Sequence, residues 1–113
     1  AIWEITNRIN TGKGPYNIDI SADGKFLVAT LKSDAKTLVW ELDKKNPSII
    51  SNNSTVPHGV VISPDSKYAF VTVEGVGGDP GLVDVIDLEK AKVVSSVNIG
   101  KQAGGIAFWK IEE

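Results

Sequence analysis

Short apolar runs separated by polar turns recur along this chain, and none carries the 3.6-residue period of an amphipathic helix. Residues 18–21 and 60–63 are two such runs, each leading into a turn signal: Ser21-Ala22-Asp23-Gly24 and Ser63-Pro64-Asp65-Ser66. Pro64 presets φ, the aspartates favour local side-chain bonds, and Gly24 accepts a left-handed conformation. Ser66 stands where Gly24 stands, which predicts a left-handed serine at a cost of roughly 1 kcal/mol. Aromatic and β-branched strands are predicted next, at 26–31 and 68–73. Further strands follow at 38–42 and 83–88, each closed by a charged turn. An outer strand ends each set, faint at 48–51 and pronounced at 93–98.

The pattern is a repeat. Residues 15–31 lie over 57–73 at a constant offset of 42 residues, with Pro, Ile, Ser, Asp, Lys and Thr recurring in register. A period of about 40–45 residues built from four short strands is the signature of a β-propeller blade, with strands a to d running from the inside outwards. The ends fit the same scheme. Residues 5–10, followed by Thr11-Gly12-Lys13-Gly14, match the outer strand 93–98; residues 104–109 match the inner strand at 58–62. The expected fold is all-β: two complete four-stranded antiparallel blades, at 14–53 and 54–100. An orphan outer strand d lies in 1–13 and an orphan inner strand a in 101–113. Because blades stack face to face, strand b is expected to be buried on both sides, placing Val28, Phe70 and Val71 in the core.

Three stretches carry a family resemblance: Gly-Pro-Tyr-Asn-Ile-Asp-Ile-Ser-Ala-Asp-Gly-Lys (14–25), Pro-His-Gly-Val-Val-Ile-Ser-Pro-Asp-Ser-Lys-Tyr-Ala-Phe-Val-Thr (57–72) and Val-Asp-Val-Ile-Asp-Leu (83–88). They resemble YVTN-type propeller repeats, a group related to the seven-bladed lactonase-like and haem-d1-domain-like propellers. The resemblance implies an extracytoplasmic protein, periplasmic or secreted. It also implies that this chain is the last third or so of a longer propeller, its final strand a being half of a ring closure. A first residue Ala1 and the lack of any Met agree with removal of an N-terminal segment or with a longer parent. The expected partners are the remaining blades or further copies of the chain.

Bulk composition removes other classes. A net charge of −2 and a pI near 5.4 lack the footprint of a nucleic-acid binder. No apolar run approaches the roughly 18–20 residues of a membrane span. With no cysteine there is no disulfide or thiolate metal site.

In a propeller the connections from d to a and from b to c share the rim that usually carries function. That rim holds Tyr16, His58 and Gly104 at the starts of strands a, and the loops 32–36 and 74–81. Tyr16, His58, Glu74 and Asp79 are therefore the candidate ligand-binding residues. His58 is the sole histidine, and the two acids could contact a cation. No catalytic residue, metal or cofactor is assigned. Asp19 occupies a slot filled elsewhere by Val61 and Ala107; either it faces a channel or partner, or its face is solvated at an open edge, and the second is the favoured expectation. Gly75-Val76-Gly77-Gly78 is no phosphate loop, since no Lys-Ser or Lys-Thr follows and two strands flank it. Trp40 and Trp109 are expected to pack in the ordinary way, and Asn52-Asn53-Ser54-Thr55 contains overlapping glycosylation sequons. The functional expectation is a non-catalytic binding or scaffolding segment. The competing one is a portion of a propeller enzyme or electron-transfer protein with its site on the rim.

Overall fold

The computed structural model describes residues 2–112; Ala1 and Glu113, the outermost residues of the expected end segments, lie outside it. Eight strands and no helix make up the described residues. The first sheet contains β1 (Pro15–Ile20), β2 (Phe26–Leu31), β3 (Lys36–Glu41) and β4 (Ser48–Ser51) in that spatial order. The second contains β5 (Pro57–Ile62), β6 (Tyr68–Val73), β7 (Leu82–Asp87) and β8 (Lys92–Asn98). Every pairing is antiparallel. β1 and β5 begin three residues before the apolar runs that announce them. Each is interrupted by a bulge, between Pro15 and Ile18 and between Pro57 and Val60. A bulge breaks the alternation of inward and outward side chains, so the run alone understates the strand.

The expected end strands form no ladder: residues 2–14 and 101–112 carry no strand assignment. A strand needs a backbone ladder with a neighbour, and within the described residues each segment has only isolated hydrogen bonds, such as Lys32 N to Gly14 O (2.7 Å) and Thr72 Oγ1 to Gly104 O.

The turns behave as their residues dictate. Ser66 has φ 62 and Gly24 φ 75, so serine holds the left-handed position that glycine fills in the first sheet. Ser21 Oγ donates to Asp23 Oδ1 (2.7 Å), Lys25 N donates to the same oxygen (3.0 Å), and Phe26 N donates to Ser21 Oγ (2.9 Å). Ser63, Asp65, Lys67 and Tyr68 repeat the arrangement. The serine hydroxyl first, and the lysine amide second, hold each aspartate below the usual carboxylate range. A carboxyl whose pKa is lower folded than unfolded adds stability that is complete above the unfolded value, about 3.9, and is lost as pH falls through the folded value. Removing both donors (Ser21→Ala with Ser63→Ala) is therefore expected to lower stability at pH 7 and to flatten its decline below about pH 4. Urea midpoints measured from pH 7 to pH 2 check this; a parallel decline in variant and parent contradicts it.

The core lies between the sheets. Phe26, Val28, Val39 and Ile50 of the first sheet share one cluster with Val60, Ile62, Ala69, Val71, Val73 and Ile86 of the second. On the far side of the first sheet, Ala29, Leu31 and Leu38 form a smaller cluster with Leu27 and Trp40. Val28 and Val71 are fully buried, but Phe70 is only half-buried. Phe70 faces away from the first sheet, into a groove of about 250 Å³ that it shares with Val61, Ile106 and Phe108. Ordinary packing holds for Trp40, whose Nε1 donates to Lys44 O (3.0 Å). It fails for Trp109, which is 86% exposed because nothing among the described residues covers that end of the segment.

Candidate functional site at the sheet junction

Three of the four predicted rim residues meet at one end of the two sheets. Tyr16 and His58 are each the second residue of an inner strand, so the repeat places their rings side by side: the centroids are 4.6 Å apart and tilted by 58°. Lys32 and Glu74, which end up after β2 and β6 at the same repeat offset, join them. Lys32 Nζ sits 4.5 Å from the Tyr16 ring centroid and 3.6 Å from Glu74 Oε1. His58 Nε2 is 3.6 Å from the same oxygen, an ion pair when the ring is protonated. Both separations exceed hydrogen-bond length, so one carboxylate oxygen is shared loosely by two groups. His58 Nδ1 is buried without a partner. Lys32 carried no expectation from sequence as a site residue, although its offset from Glu74 was there to be read.

Asp79 stays apart. It lies on the exposed tip of the β6–β7 loop, where its amide donates to Val76 O (3.2 Å). Its carboxylate makes no hydrogen bond or ion pair among the described residues. A second cleft, about 550 Å³, opens at the opposite end, between the Asp23 and Ser66 turns. Among the described residues no three His, Cys, Asp or Glu side chains stand close enough together to hold a metal.

Most polar side chains between the sheets join one sheet to the next. Buried Thr30 accepts from Asn17 N (3.1 Å) within its own sheet and donates to His58 O (2.8 Å) of the second. Thr72, one repeat on, accepts from Gly59 N (2.8 Å) and donates to Gly104 O. Gly104 therefore stands where the start of a third inner strand is expected, even though no ladder forms there. Asp19 is not solvated at an open edge. Its Oδ2 accepts from Ile62 N (2.8 Å) and its Oδ1 from Ile20 N (2.9 Å), so the acid caps an unpaired edge amide of β5. Asp23 N donates to Ser66 Oγ across the gap between turns (3.1 Å).

The largest single polar anchor is Asp84, fully buried on β7. Its carboxylate accepts from Asn52 Nδ2 (3.1 Å), Asn53 N (2.9 Å) and Asn53 Nδ2 (2.9 Å), while Thr37 Oγ1 donates to Asn52 Oδ1 (2.9 Å). The crossover between the sheets is thereby tied to both. The nitrogens that a glycan would use on Asn52 and Asn53 are engaged by this carboxylate, which accounts for the Asn pair without any modification.

Solved structures share the arrangement. Hydrazine synthase from Kuenenia stuttgartiensis superposes with a TM-score of 0.71 at 18% identity, over 91% of this chain and 28% of that one. The β-propeller domain of Cps50 (Swd1) from Myceliophteria thermophila gives 0.71 at 20% identity, over 89% and 30%. The chain consists of β-propeller blades. A functionally unknown protein from Desulfotomaculum acetoxidans gives 0.73 at 24% identity, over 92% and 33%. No protein-family model and no curated protein matches the sequence. The two blades and their end segments thus span about a third or less of each neighbouring chain. Identity at this level carries the fold alone, and the rim residues have to be judged on their own chemistry.

Proposed function

We propose that this chain is a non-catalytic segment of a β-propeller, a binding and scaffolding element that works within a larger ring, formed by further blades or by further copies. The observation that carries this reading is the repeated threonine bond out of each blade, from Thr30 to His58 O of the second blade and from Thr72 to Gly104 O of the segment that follows it. Asp19, Ser66 and Asp84 serve the same end, so the polar groups between the blades hold blades together. At the rim, Tyr16, Lys32, His58 and Glu74 contact one another across the blade junction. They form a compact polar surface able to take a small ligand at the mouth of the channel. The resemblance of 14–25, 57–72 and 83–88 to YVTN-type repeats, and to the lactonase-like and haem-d1-like propellers, supports this membership and an extracytoplasmic setting.

A second reading rests on His58. A buried, unpartnered Nδ1 with a carboxylate beside Nε2 is an arrangement that acid–base chemistry can use. Elemental analysis and a visible spectrum of purified protein separate the two. The scaffold reading expects no stoichiometric metal and no chromophore. One equivalent of either would overturn it in favour of a rim enzyme or electron-transfer protein.

A further inference from the structure

The rim of the blade junction carries backbone strain that the fold could avoid. Gly14, Val56 and Gln102 stand two residues before Tyr16, His58 and Gly104, and all three are left-handed, with φ 71, 63 and 57. The carbonyls of the first two position the rim: Lys32 N donates to Gly14 O (2.7 Å) and Glu74 N to Val56 O (2.9 Å). Glycine takes this conformation freely, whereas a β-branched residue there is a true outlier. Valine thus sits in a slot that glycine fills in the first blade, two residues from His58. Strain of this kind collects at ligand sites.

The polar groups gathered there are short of partners. Lys32 Nζ and His58 Nε2 each stop 3.6 Å from Glu74 Oε1, beyond hydrogen-bond length. A proton on buried His58 Nδ1 would face no acceptor, so the neutral ring carries it on Nε2, toward Glu74. Two N–H donors therefore flank a carboxylate with room for about four acceptor bonds. Tyr16 steadies both donors, with Lys32 over its ring and the His58 ring against it. All four residues lie between the two complete blades, so both walls of the site belong to this chain.

What such a set can hold follows from its charges. Lys32 and Glu74 cancel and His58 is neutral, so a bare anion or cation meets no net opposite charge. A metal ion on Nε2 would move the ring proton to Nδ1, where nothing accepts it. A carbonyl or ether oxygen accepts but has nothing to donate to the carboxylate. A hydroxyl does both, and two atoms 3.6 Å apart are within reach of one oxygen at about 2.8 Å from each. Two adjacent hydroxyls match the set in full. Each donates to an oxygen of Glu74, while one accepts from Lys32 and the other from His58.

We propose that Lys32, His58 and Glu74, held in place by Tyr16, bind a vicinal diol, the group that sugars and other polyols present. This rests on the rim reading above and names the class of ligand that the rim takes.

His58 is the sole histidine, so its ring protons give one resolved set of NMR signals. The probe is methyl β-D-ribofuranoside, a neutral cis-diol, titrated into the full chain at neutral pH. The control is its isopropylidene acetal, in which both hydroxyls are blocked. The expected result is a saturable shift of the His58 signals with a Kd on the order of millimolar, and none with the acetal. Glu74→Gln keeps the volume and removes the charge, and is expected to weaken binding about tenfold or more, the loss of a charge-assisted bond. If that variant loses its β-sheet circular dichroism, Lys32→Ala takes its place with the same expected loss. Equal shifts with diol and acetal overturn the proposal, as does no saturable shift, which would mean that water alone fills the site. Tighter binding of inorganic phosphate than of the diol also overturns it, since the rim would then be an anion site. None of these results touches the metal and chromophore test or the bonds between blades, so the scaffold reading is judged separately.

Discussion

Replacing Asp84 with alanine is expected to cost about 3–5 kcal/mol, a large fraction of the roughly 5–15 kcal/mol that typically holds a domain folded. The carboxylate is fully buried and accepts three hydrogen bonds, from Asn52 Nδ2, Asn53 N and Asn53 Nδ2. A hydrogen bond to a charged group contributes about 1.5–3 kcal/mol, and each buried donor left without an acceptor costs its own desolvation. Alanine removes the acceptor and leaves all three donors in place. Asp84→Asn keeps the volume but turns an amide toward the other amides, so a smaller loss of about 2 kcal/mol is expected. Urea unfolding followed by tryptophan fluorescence and circular dichroism measures both. A change below 1 kcal/mol for the alanine variant would mean that the crossover is not held by this carboxylate.

The second large effect separates the two faces of the second blade. Ile86 is fully buried within the inter-blade cluster, and Ile86→Ala is expected to cost about 3–4 kcal/mol, as truncation of a large aliphatic side chain in a site that cannot collapse does. Phe70→Ala removes a bigger side chain, yet the expected loss is only about 1–2 kcal/mol. Phe70 is half-buried and lines an open groove, so part of its surface is already wet and the space it leaves is continuous with solvent. The order of the two values is the test. A greater loss for Phe70 would show that its face is covered by more than residues 104–108.

The in-register repeat made the fold legible from sequence: it fixed four strands per unit, the turn types and even the left-handed Ser66. The repeat also located the rim, bringing Tyr16, His58 and Glu74 together. Where the reading erred, the cause was tertiary. Asp19 looked like an acid in an apolar slot, and only the neighbouring strand reveals the unpaired Ile62 amide that the acid serves. Phe70 read as core because face-to-face burial was assumed for both blades, whereas its face of the second blade is covered only in part, by residues 104–108. Asp84 drew no attention within Val-Asp-Val-Ile-Asp. Its counterpart in the first unit is Leu38, and a buried acid opposite a leucine was the available sign that something had to satisfy it. Thr30 and Thr72 recurred in register without showing what a repeated hydroxyl in an apolar strand was for; their reach beyond their own blade, to His58 O and Gly104 O, supplies the reason. Asp79 stands apart from Tyr16, His58 and Glu74 because the loop between β6 and β7 holds its tip clear of them.

The central claim is that these blades are built to have neighbours on both flanks, and sedimentation of the unmodified chain at low micromolar concentration tests it most directly. Ile18 and Ile20 on one flank, and Phe108 and Trp109 beyond the other, leave apolar surface of the kind that drives association. The expected result is a species heavier than the 12.1 kDa chain, with an unfolding midpoint that rises with protein concentration. A single sharp boundary at the monomer mass, with cooperative unfolding independent of concentration, would contradict the account.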